Sequence, residues 1–124
     1  MREILFRGKE VESGDWYYVD IFHSSVDVDT VRIHDYRNRA NVKIIPETLG
    51  QFTGLTDKNG VKIFEGDIVE YEGKRYSINY LPHYARFSAV KPNTVFCVFA
   101  YQRGEVIGNI YDNPELIGED GETE

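Results

Sequence analysis

The sequence predicts an all-β fold: a small barrel or sandwich of short antiparallel strands, partly SH3-like, with at most one or two short helical turns. Three observations lead there. Apolar and aromatic residues recur with a two-residue period in short runs; these runs are separated by turn residues, among them 11 glycines and 4 prolines; and no segment sustains the apolar period of a helix. With 124 residues, 41% hydrophobic and 14% aromatic, the chain has apolar surface for one modest core. It reads as a single β-rich domain over residues 1–117, with a possible division into 1–49 and a barrel-like 50–117. Residues 118–124, a Gly-Glu-Asp-rich acidic stretch, are too polar to pack and are expected to form a flexible tail.

Ile4 to Phe6 starts the first strand. Turn material at Glu12-Ser-Gly-Asp15 leads into Trp16-Tyr-Tyr-Val-Asp-Ile-Phe22, whose aromatic and β-branched residues predict a second strand, paired with the first as a hairpin. Between Val26 and Ile33 the apolar residues lie on even numbers and then, from Val31, on odd ones. The pleat therefore changes phase at Thr30, which calls for a bulge or a turn. His34 to Asn41 is polar and reads as a loop before the short apolar run Val42 to Ile45. Pro46-Glu-Thr-Leu-Gly50 opens on a proline tolerated in a first turn and closes on a glycine suited to a left-handed cap, predicting one helical turn.

Asp57-Lys-Asn-Gly60 predicts a tight hairpin between Leu55 and the pair Val61 and Ile63, with Asp57 as a turn former. Glu65-Gly-Asp67 opens a strand over Ile68 to Tyr71, and Glu72-Gly73 turns it into a strand in which Tyr76, Ile78 and Tyr80 alternate with Ser77 and Asn79. Thr94 to Tyr101 and Glu105 to Tyr111 predict a third hairpin, joined by Gln102-Arg-Gly104, before a break at Pro114.

Reactive side chains do not gather along the chain. Cys97 has no disulfide partner and stands among Val95, Phe96, Val98 and Phe99 as a small core residue. His23, His34 and His83 are scattered and read as surface or loop histidines; a Cys97–His83 dyad is geometrically open but has no accompanying motif. No zinc spacing occurs, and the Asp57 loop lacks the later glutamate of a calcium site. Glycines 50, 54, 60, 66 and 73 precede no helix that would offer a phosphate its N-terminus, so they read as turn glycines. Glu65 and Asp67 are expected to face water at the start of a strand. No catalytic, cofactor-binding or metal-binding residue is assigned. Without a secretion-like segment or an apolar run of membrane length, the expected location is the cytoplasm.

The net charge of −7 is unevenly spread. Residues 1–71 carry 9 Lys/Arg against 13 Asp/Glu, residues 72–104 carry 5 against 1, and residues 105–124 carry 0 against 7. The basic middle supplies the candidate binding surface: Lys74, Arg75, Tyr84, Arg86, Lys91 and Arg103, interleaved with Tyr76, Tyr80, Phe87 and Tyr101. That mixture suits phosphate attraction with base stacking, as on single-stranded nucleic-acid platforms. The plainer reading, which strand alternation favours, is that Tyr76 and Tyr80 face the core and the cations form a solvated face. A third is that this face docks the acidic tail of a neighbouring subunit.

Two blocks carry a family resemblance: Gln51-Phe-Thr-Gly-Leu-Thr-Asp-Lys-Asn-Gly60 with Glu65-Gly-Asp-Ile-Val69, and Ile107-Gly-Asn-Ile-Tyr111. Together they resemble the signature of the YopX family, small proteins encoded in bacteriophage and prophage genomes. The Glu65-Gly-Asp-Ile-Val69 phrase also resembles the opening of SH3-like barrels. The YopX resemblance implies a phage-encoded, β-rich domain and a homo-oligomer, and it carries no catalytic residue across. The expected function is a non-enzymatic binding or assembly module that acts on itself or on a host or phage macromolecule. The alternatives are a nucleic-acid-binding accessory protein that uses residues 74–103 and an enzyme with an unrecognised site.

Overall fold

The computed structural model describes residues 4–81, 86–91, 94–96 and 103–117. Those residues are all-β: twelve strands in three antiparallel sheets, with 3-10 turns at Pro46–Thr48 and Pro114–Leu116. Each sheet is an open ladder among the described residues, not a closed barrel. The chain divides into two compact units, Met1–Phe52 and Thr53–Glu124.

In the first unit, β1 (Phe6–Lys9) and β2 (Trp16–Val19) form the expected hairpin, with Phe6 opposite Val19, and the other side of β1 meets the start of β6 (Gly50–Thr56). The strand predicted to run from Trp16 to Phe22 is broken. Asp20 accepts the Ile21 N–H at 2.8 Å and draws in the Arg37 guanidinium at 2.9 Å, and Phe22 begins a new strand in another sheet.

That sheet comprises β3 (Phe22–Val26), β4 (Val31–Asp35) and β5 (Ala40–Ile44), in that order. The phase change at Thr30 is a turn: the Asp27 N–H donates to the Thr30 carbonyl at 2.8 Å. The loop predicted for His34 to Asn41 shrinks to residues 36–39, because His34 and Asp35 complete β4 while Ala40 and Asn41 begin β5. Asp35 is the cause. Its carboxylate, 1% exposed, accepts the Tyr17 hydroxyl at 2.6 Å, the Asn38 amide at 2.9 Å and the backbone N–H groups of Arg37 and Asn38. The buried acid is satisfied, and the turn is held so tightly that polar neighbours extend into strands.

The Pro46 turn forms as expected, but Gly50 is not its left-handed cap. Leu49 leaves the turn extended at φ −70° and ψ 118°, and Gly50 opens β6. Thr48 closes the turn instead, donating its hydroxyl to the Ile45 carbonyl at 2.6 Å and accepting the Lys9 N–H at 2.8 Å. Val19, Ile33, Val42 and Ile44 make the core of this unit, flanked by Phe6 and Phe22, whose rings meet edge-on at 5.3 Å.

In the second unit, β6 runs on beside β7 (Lys62–Phe64), and β8 (Asp67–Tyr71), β9 (Lys74–Leu81), β10 (Arg86–Lys91), β11 (Thr94–Phe96) and β12 (Glu105–Asn109) form a sheet in the order β11-β10-β9-β8-β12. Of the third hairpin, predicted from Thr94–Tyr101 and Glu105–Tyr111, residues 97–102 lie outside the described residues, and the described strands pair elsewhere. β11 pairs with β10, while β12 pairs with β8, placing Asn109 opposite Asp67. Backbone bonds from Lys58 to the Gly104 carbonyl, 3.1 Å, and from Ile110 to the Gly66 carbonyl, 2.9 Å, hold the last strand against the earlier turns. His83, Tyr84, Cys97, Tyr101 and the acidic tail lie outside the described residues.

Ile63, Val69, Tyr76 and Ile78 form the core of this unit. The alternation holds for Tyr76, 2% exposed, and fails for Tyr80, which is 45% exposed near the end of β9. Asp67 does not face water. It is 2% exposed, and its Oδ2 accepts the Phe64 N–H at 2.7 Å.

Candidate functional site

Alternation along β3, β4 and β5 sends Ile33, Val42 and Ile44 inward and leaves the other face polar. Register assembles that face in two rows across the strands: His23 opposite His34 opposite Asn41, and Ser25 opposite Arg32 opposite Lys43. The six side chains border an open cavity of ≈ 230 Å³ that, among the described residues, no carboxylate lines. Its edges are braced by short contacts. His34 Nδ1 lies within hydrogen-bond distance of Asn41 Oδ1, 2.8 Å, and the His34 ring meets Tyr36 edge-on at 4.7 Å. Asp27 accepts from Arg32 Nε at 3.2 Å, which orients the guanidinium. The Arg32 bond, followed by the Val28 N–H, holds the Asp27 carboxyl below the usual carboxylate range.

Sequence reading named His23 and His34 but assigned them to surface or loop. The signal was present as polar residues two apart on each strand. Reading 34–41 as a loop concealed it, since a face exists only once β4 and β5 are in register.

The basic segment singled out in the sequence is distributed differently. Lys74 is exposed and stands opposite Tyr71, whereas half-buried Arg75 stands opposite Glu70. Arg75 Nε is 3.6 Å from Glu70 Oε2, and Nη1 donates to the Leu116 carbonyl at 3.1 Å, so its charge and donors serve the C-terminal turn. Adjacent strand residues point to opposite faces, which separates Lys74 from Arg75. Arg86 and Lys91 occupy the two ends of β10, opposite Leu81 and Thr94, and exposed Arg103 precedes β12. Tyr84 lies outside the described residues.

Buried acids in the second unit are occupied by backbone donors. Asp57, 5% exposed, accepts the N–H groups of Asn59 and Val61 on Oδ1 and of Val106 on Oδ2, each within 2.9 Å. Burial pushes its carboxyl up, but these N–H groups, Val106 foremost, outweigh that and hold it below the ordinary range. Among the described residues, no three His, Cys, Asp or Glu side chains gather as metal ligands, and no helix is long and apolar enough to cross a membrane.

The profile of the YopX protein family matches residues 5–118. The chain belongs to the YopX family. It is also similar to a solved structure, the crystal structure of protein EF1440 from Enterococcus faecalis, at 27% identity and a TM-score of 0.56, covering 95% of this chain and 100% of that one. No curated protein matches it significantly. The YopX signature blocks have structural duties here. Asp57 and Gly66 receive the last strand and the turn after it. Asn109 Oδ1 closes that turn by accepting the N–H groups of Tyr111 at 3.0 Å and Asp112 at 2.9 Å. The polar face of β3–β4–β5 lies outside these two blocks but within the residues that the family profile matches.

Proposed function

We propose that this YopX-family chain is a non-enzymatic binding and assembly module that associates with itself by pairing β3 with β3 of a second copy. The supporting observation is the edge of that strand. Bonds from Tyr36 N–H to the Ile21 carbonyl, 3.1 Å, and from Asp27 N–H to the Thr30 carbonyl set the phase of the β3–β4 ladder. In that phase Phe22, Ser24 and Val26 turn their N–H and C=O groups away from β4. Among the described residues no strand pairs with them there. β3 contains no Lys, Arg, Asp, Glu or Pro, the residues that usually guard an edge against pairing. Val26 and Val28 are 85% and 93% exposed beside it.

A two-fold axis through Ser24 would place Ser24 against Ser24 and Phe22 against Val26, with no like charges opposed. Both copies would then turn their polar faces to the same side. Occupation of the buried acids Asp35, Asp57 and Asp67 by hydrogen-bond donors supports binding over catalysis. A phage or prophage origin, supported by the signature blocks, and action in the cytoplasm, supported by the lone cysteine, complete the reading.

Light-scattering chromatography tests it. The wild type and Ser24→Ala should both show a dimer that resists salt, and Ser24→Pro, which removes an outward N–H without taking a bond from β4, should give a monomer with an unchanged circular dichroism spectrum. A monomeric wild type, or a dimer indifferent to Ser24→Pro, would sink the proposal.

A further inference from the structure

The geometry points to the outward face of β3–β4–β5 as a platform for single-stranded nucleic acid, independent of whether the chain self-associates. Charge selects the ligand. The lining contributes the cations Arg32 and Lys43, the donors Ser25 and Asn41, and two histidines, whereas the carboxylate at its margin, Asp27, is bound to Arg32 Nε. Asp27 offsets one of the two positive charges, and the lining stays net positive: it repels a metal ion and attracts a phosphate group. The chain's overall charge of −7 does not cancel this locally, because charges beyond about 8 Å are screened at physiological salt.

Shape narrows the choice further. The cavity, ≈ 230 Å³ and open, is smaller than the roughly 300–1,000 Å³ clefts that engulf small ligands, so it suits a stretch of a chain laid across the strands. Tyr36, 54% exposed and braced edge-on by His34, offers a ring at the margin on which a base can stack. Cations spaced across a sheet with an aromatic beside them are the two components that single strands require, and a duplex, whose bases are already stacked, would use only the first.

The test is fluorescence anisotropy of a labelled single-stranded oligothymidine with the full chain across a salt series. Contacts from Arg32 and Lys43 predict that log affinity falls with log salt at a slope of about −1.4. Arg32→Gln and Lys43→Gln should each halve that slope, Arg32→Lys should keep it, and Tyr36→Ala should weaken binding about fivefold or more while leaving the slope unchanged. Lys74→Gln should change neither. The inference is overturned by absence of binding, by a slope indifferent to Arg32→Gln and Lys43→Gln, by stronger binding of the duplex, or by displacement with equimolar inorganic phosphate, which would indicate a general anion site.

Discussion

Asp57 Oδ2 accepts the backbone N–H of Val106 at 2.9 Å across 49 positions of sequence. The same carboxylate holds its own turn through Asn59 and Val61, so one side chain joins the β6–β7 hairpin to the last strand of the neighbouring sheet. Asp57→Ala leaves three N–H groups without their acceptor and should cost about 2–3 kcal/mol in urea unfolding. Asp57→Asn, which keeps an acceptor oxygen, should cost less. Equal losses from the two would show that the carboxylate's hydrogen bonds are not what matters.

Gly66 and Tyr111 are matched in a similar way. Gly66 has φ 93°, and a Cβ added there would stand 2.8 Å from Tyr111 Cε2, whereas at Gly60, φ 84°, a Cβ would meet open space. Gly60→Ala should therefore show backbone strain alone, about 1 kcal/mol, and Gly66→Ala strain plus collision, roughly 2–3 kcal/mol. Adding Tyr111→Ala should make the Gly66→Ala increment resemble that at Gly60. If the increment does not shrink, the collision is not the cause.

Stability should fall at both ends of the pH range. The Tyr17 hydroxyl, followed by the donors of Asn38 and Arg37, holds the Asp35 carboxyl below its ordinary value. The unfolded chain thus takes up the proton first, and this contribution is present above about pH 4 and lost as pH falls through the folded-state value. Tyr17 moves the opposite way, raised by burial and then by Asp35. Its contribution is complete below about pH 10 and lost as pH rises through its raised value. Asp35→Asn should flatten the acid limb measured by urea midpoint; an acid limb of unchanged slope would assign it to other carboxylates.

Arg75 is predicted to act on stability. Arg75→Ala should cost about 1 kcal/mol through the lost bond to the Leu116 carbonyl, and Arg75→Lys should not restore it, because a point charge cannot serve Glu70 and Leu116 together as the guanidinium does. Denaturant unfolding with both variants decides this. Full recovery with lysine would mean that charge alone is required.

Much of the local structure was legible. The β1–β2 hairpin, the 3-10 turn at Pro46, the Asn59-Gly60 turn and the Glu72-Gly73 turn each follow from residues whose preferred φ or side-chain bonding acts within a few positions. Less of the candidate site was. Lys74 and Arg75 look like one basic patch in sequence and point to opposite faces in the strand, whereas His23, Arg32 and Lys43 lie far apart in sequence and share a face. Alternation reports which residues share a side of one strand and is silent about which strands become neighbours.

The sequence by itself determined the all-β class, several of the turns and the two signature blocks, because backbone sterics and two-residue alternation are written in consecutive residues. Tertiary structure alone decided that β12 pairs with β8 instead of β11, that the Asp57 carboxylate also receives the Val106 N–H, and that three polar strand faces form one surface. The physical reason is common to all three: each depends on a hydrogen bond or register between segments distant along the chain, and such pairings are selected by the packing of the folded unit.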